Sequence, residues 1–146
     1  MRMLAITSGV VAISLTGEAM GQTTAKVQID AGASYEQSLK CYQYYGVAQQ
    51  VAEARAARAK VGSDDQKAFQ ARGAVNRVLK AVWNAHIDAT KANKSGETVD
   101  ADLGKIGEPI IADANAGLAG DKAAAGRYEE IQVQCKTFEK VDKPAG

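Results

Sequence analysis

Between residue 34 and about residue 140 the chain falls into four stretches in which apolar residues recur every three or four positions, separated by short polar breaks. That spacing puts them on one face of an α-helix. Ser34-Tyr35-Glu36-Gln37 opens the first stretch as a capping box, and the helix is expected to run to about Lys60 and stop at Gly62. Its stripe of Leu39, Tyr42, Tyr45, Gly46, Gln49, Ala52, Ala56 and Ala59 starts bulky and ends in alanines, so its far end should approach a neighbour closely. Ser63-Asp64-Asp65-Gln66 repeats the box and opens a helix to about Asn93, with Gly96 as its stop. Phe69, Val75, Val78, Leu79, Val82, Trp83, His86 and Ile87 form its apolar face. Only Val61 and Gly62 lie between the first helix and the second cap, which predicts an antiparallel hairpin about 40 Å long.

The third stretch keeps the period in Val99, Leu103, Ile106, Ile110 and Ala114, but Gly104, Gly107 and Pro109 interrupt it. An interior proline removes a backbone hydrogen bond and clashes with the preceding turn, so a short or kinked helix is expected. Asp121 caps a last helix to about Lys140, with Ala124, Tyr128, Ile131, Cys135 and Phe138 along one side. The predicted fold is all-α: an up-and-down bundle of about four helices over residues 34–141, with residues 142–146 as a frayed tail. Cys41 lies about two turns into the first helix and Cys135 one to two turns from the end of the last. In an up-and-down bundle these positions share one end and one height, which suits a disulfide, whose Cα atoms sit about 4.4–6.8 Å apart.

The pattern changes before residue 34. Residues 22–33 are polar, with Val27 and Ile29 alternating with polar neighbours, and are expected to be a flexible N-terminal segment. Residues 1–21 have the form of an export signal: Arg2 supplies the charged start, Leu4 to Leu15 the apolar run, and Ala19-Met20-Gly21 the small residues around a cleavage point near Gly21. The run is shorter than the roughly 20 apolar residues a membrane span needs. The expected location is therefore periplasmic or secreted, with no integral membrane segment after cleavage. An even cysteine count in an exported chain then reads as one disulfide, Cys41–Cys135.

Charge narrows the function classes. Cleavage removes one charge of each sign, Arg2 and Glu18, and leaves the net charge at +1. A balanced chain lacks the basic face of a nucleic-acid binder. All three methionines lie in the signal and there is no C-x-x-C-H, so neither a Met/His haem pair nor covalent haem attachment is available to the mature chain. His86 is the only histidine, too few for a zinc site. No cofactor and no metal are expected. Nucleophile elbows and phosphate loops are absent from the sequence.

Two groups of residues remain as candidates. Tyr35, Tyr42 and Tyr45 share a helical face and form a candidate binding patch; the plainer alternative is that two of the clustered tyrosines pack in the core. Trp83 and His86 are candidate ligand-lining residues if the bundle interior holds a cavity. The leading expectation is a non-enzymatic interaction or structural module acting on an unidentified envelope or extracellular protein. The alternative is a carrier of a small apolar ligand in the bundle interior, suggested by the alanine stripe opposite Trp83 and the interrupted third helix. A His86-dependent enzyme comes third.

Overall fold

The computed structural model describes residues 11–14 and 24–142. Four helices run in chain order: α1 (Tyr35–Arg58), α2 (Asp64–Thr90), α3 (Gly96–Leu118) and α4 (Lys122–Phe138). Together they make the expected all-α up-and-down bundle, closed by the Cys41–Cys135 disulfide with its Cα atoms 5.6 Å apart across 94 residues of chain. Three short strands, β1 (Val11–Ser14), β2 (Thr24–Ile29) and β3 (Glu139–Asp142), add an antiparallel sheet of order β1-β2-β3 at the disulfide end.

The helix starts follow the caps. Ser34 Oγ accepts the Gln37 N–H at 3.2 Å, and Gln37 Oε1 accepts the Ser34 N–H at 2.8 Å, completing the first box. The second box closes differently. Ser63 Oγ takes the Gln66 N–H, but Gln66 Oε1 accepts from Gly62 at 2.8 Å and its amide donates to the Ala56 carbonyl at 3.3 Å. Gln66 thus ties α2 back onto the end of α1 across a turn that needs Gly62 at φ +78°.

Three expectations need correction. First, α2 ends at Thr90 rather than near Asn93. The reversal is made by Ala92 at φ 51°, and Gly96 is the first residue of α3, behind the Ser95 cap. Second, of the short or kinked third helix expected, the short form does not hold: α3 runs 23 residues with Pro109 inside it. Pro109 is exposed, so the Lys105 carbonyl it leaves without a partner faces water, while the apolar face stays continuous through Gly107, Ile110 and Ala114. Third, residues 24–29 of the segment expected to be flexible form the central strand. Val27 is buried and Ile29 packs on the core. The Asp30 N–H donates to the Phe138 carbonyl at 2.8 Å, and Lys140 pairs with Asp30 at 2.8 Å. The last helix accordingly stops at Phe138, and Asp142 lies in β3, paired with Lys26. Of the expected export signal only Val11–Ser14 is described, paired with β2 from Val11↔Val27 to Ser14↔Thr24. The remainder of residues 1–21, and residues 143–146 of the expected tail, lie outside the described residues.

The core concentrates around the disulfide. Trp83, Tyr45, Leu39 and Cys135 are at most 1% exposed, with Tyr44 and Cys41 beside them. The indole N–H of Trp83 donates to Glu139 Oε1 at 3.0 Å, joining α2 to the first residue of β3. α1 is the axis of the packing. It lies against α2 on one flank and against α3 and α4 on the other, and α2 scarcely touches α3 or α4. Beyond the aromatic core the bundle is therefore open along one side.

Candidate functional site: a cleft over the first helix

The open side is a cleft with a cavity volume of about 790 Å³ and a mostly apolar lining. Its floor is α1, where Tyr44, Ala48, Val51 and Arg55 follow one another at three- and four-residue spacing and Tyr45 and Ala52 lie alongside. One wall is α2, through Phe69, Arg72, Val75 and Leu79. The other joins the end of α3, Ala114, Gly117 and Leu118, to Ala125, Tyr128, Glu129 and Lys136 of α4. Small residues set the depth. Ala52 and Ala56 are buried, and a Cβ on Gly73 would stand 3.9 Å from the Ala52 Cβ, so α1 and α2 approach closely there. A Cβ on Gly117 would stand 3.0 Å from the Ala125 backbone, which keeps the α3–α4 corner tight and the wall low.

The polar side chains of the cleft include three tyrosines, Asn76 and Gln132, and the charged Arg55, Arg72, Asp113, Glu129 and Lys136. Tyr44 and Tyr128 stack with ring centroids 4.7 Å apart, and the Tyr128 hydroxyl donates to the Tyr44 carbonyl at 3.4 Å. Burial, with the charges of Glu129 and Glu139, raises the Tyr44 phenol to about 12. Burial, then the neighbouring Tyr44, raises that of Tyr128. Both are neutral donors at physiological pH. Asp113 is gripped by Arg127 through Nε and Nη2 at 2.6–3.2 Å, and this guanidinium holds its carboxyl below the usual range. Such a site offers apolar surface, the phenols of Tyr44, Tyr45 and Tyr128, and a charged rim.

No protein-family model, curated protein or solved structure matches this chain.

Of the residues singled out from sequence, Tyr45 lines the cleft and the others lie elsewhere. Trp83 and His86 do not line the cleft. Trp83 is wholly buried and occupied with Glu139, and His86 packs edge-on to it at 5.9 Å between centroids. His86 Nδ1 lies 2.8 Å from Ser38 Oγ. Ser38 donates its single proton to the Ser34 carbonyl at 2.8 Å, so the Nδ1–H of His86 is the donor to Ser38. This resembles a serine–histidine pair in distance alone. Ser38 has no exposed surface and its proton is committed to the backbone, so no substrate reaches it and no base activates it.

Tyr35, Tyr42 and Tyr45 do not form a patch. Tyr45 is in the core, as is Tyr44. Tyr35 donates to Asp102 Oδ2 at 3.1 Å beneath Lys94, and Tyr42 lies under Lys80. Spacing along one helix cannot say which face meets which neighbour, and α1 has neighbours on two flanks. Among the described residues, no group of three or more His, Cys, Asp or Glu is placed to hold a metal ion, and no helix is long and apolar enough to cross a membrane. Sequence reasoning did not place Ala48 and Arg72 in a site, read Phe69 only as part of an apolar face, and read Arg55, which with Arg58 and Lys60 could bind an anion, as part of a solvated helix tip. The alanine-rich half of the α1 stripe was the available signal.

Proposed function

We propose that the protein is an exported, non-enzymatic carrier that holds a small apolar ligand in the cleft over α1. The observation that carries this reading is the cleft itself. Its volume falls inside the range of about 300–1,000 Å³ typical of small-molecule sites, and its exposed lining is mainly apolar with polar side chains around it, as in such sites. Export is supported by the signal-like residues 1–21 and by the disulfide, which suits an oxidising space such as the periplasm.

The second reading is an interaction module for an envelope or extracellular protein. It is favoured by Leu118, 55% exposed, and Val75, 38% exposed, which flank the cleft and would receive the apolar face of a partner helix.

Native mass spectrometry of the protein purified from its own source separates the two readings. A small extra mass that is lost on denaturation, and is absent from Ala48→Phe, is the expected result. A bare mass for both proteins, together with a co-purifying protein that Ala48→Phe loses, replaces the carrier with the interaction module.

A further inference from the structure

Building on the carrier reading, we propose that the ligand is a long-chain fatty carboxylate, its head group held by Arg55 and Arg72 and its chain lying along the alanine floor toward Tyr44. Both arginines line the cleft at the α1–α2 turn end, and their guanidinium carbons lie 5.8 and 5.9 Å from the centre of the Phe69 ring. Stacking on an aromatic face fixes a guanidinium without using its N–H groups, and that planar fork matches a carboxylate. Among the described residues, neither arginine has an ion-pair or side-chain hydrogen-bond partner, and two acids of the neighbouring helices are engaged by other groups. Glu53 is bound by Arg77 and Gln49, and Asp113 by Arg127.

Charge also gives the cleft a direction. At its other end Glu129 and Glu139 both bear on the Tyr44 phenol, with Lys136 two turns beyond Glu129 on the same helix, so that end carries no excess positive charge. The positive charge is left at the Arg55–Arg72 mouth. From Arg55 to Tyr44 the floor is about 16 Å long at the helical rise, made of Ala52, Val51 and Ala48 with no charged side chain between. An extended acyl chain with one anionic end fits a narrow apolar trough of that polarity. A neutral lipid leaves both guanidiniums without a partner.

Calorimetric titration with palmitate, palmityl alcohol and palmitoyl lysophosphatidate, each below its aggregation limit, tests the assignment. The proteins are wild type, Arg55→Gln/Arg72→Gln and Ala48→Phe, each first shown to keep wild-type helicity. Expected is palmitate binding that weakens with added salt and falls roughly tenfold in the double arginine variant, the scale of one lost charge-assisted contact. Palmityl alcohol should bind more weakly and ignore the arginine changes, and Ala48→Phe should remove both. Equal binding of palmitate and alcohol, or full affinity in the double variant, overturns the head-group assignment and leaves the apolar carrier standing. A preference for the lysophosphatidate overturns the carboxylate in favour of a phosphate. Failure of all three ligands overturns the carrier reading as well.

Discussion

At the disulfide end, Tyr45 of α1 and Trp83 of α2 share a core with Cys41 and Cys135, all at most 2% exposed, and the disulfide brings α4 onto it. At the other end the same two helices meet through Ala52, Ala56 and Gly73, and α2 and α4 stand apart across the cleft. One helix pair thus changes from large, locked side chains to small ones along its length. Large aromatic side chains fill space and stabilise by the area they bury. Small residues let backbones approach and leave unfilled volume beside them. Stability is concentrated where the covalent tie and the aromatics are, and room for a ligand exists where they are absent.

The sharpest break of this contrast is at the disulfide. On the chain-entropy relation a closed loop of this length is worth about 4–5 kcal/mol, an upper figure, so reduction should lower the denaturant midpoint strongly. An unchanged midpoint would place stability elsewhere. Next comes Trp83→Ala, expected to cost about 3–5 kcal/mol as a buried large-to-small change. Val75→Ala on the exposed cleft wall should cost less than about 1 kcal/mol. Chemical unfolding of the pair decides, and similar losses at both sites contradict the division. Ser38→Ala should cost about 1–3 kcal/mol by leaving the half-buried Nδ1–H of His86 without an acceptor.

The pH effect follows from the same corner. Burial holds the His86 imidazole below its ordinary value of 6.5. Where the unfolded chain would protonate it, the folded chain keeps it neutral. Its contribution is therefore complete above the unfolded value and is lost as pH falls from there through the lower folded value. Thermal melts across this window should show wild type losing stability on acidification faster than His86→Gln; parallel curves would show that His86 does not titrate in this way. Smallest is a gain. Ala92 sits at φ 51°, a region costly for a residue with a Cβ. Ala92→Gly should stabilise the turn after α2 by up to about 1 kcal/mol, and a loss on the same melts would show that the turn is not strained.

Sequence made the local features of the molecule far more legible than the long-range ones. The Ser34 and Asp121 caps, the α1–α2 hairpin and the matching heights of Cys41 and Cys135 all follow from local chemistry plus up-and-down topology. The sheet does not, because β2 finds β3 more than a hundred residues away and Glu139-Lys140-Val141-Asp142 carries no strand signal of its own. The continuity of α3 was hidden because Pro109 looks disruptive until its exposure is known. The cleft was the least accessible feature. It lies between α2 and α4, helices separated in sequence and scarcely touching in space, and periodicity describes a face without naming what stands opposite. The same limit explains why Trp83 and His86, well placed on an apolar face, turned out to belong to the closed end.

Residue-resolved hydrogen exchange, with and without palmitate, tests the division of labour most directly. Amides of residues 38–43 and 82–87 should exchange slowest in the free protein, and those of residues 48–56 and 69–76 faster. Palmitate should slow the second set and leave the first unchanged. Uniform protection along α1 and α2, or a palmitate effect confined to the disulfide end, would contradict it.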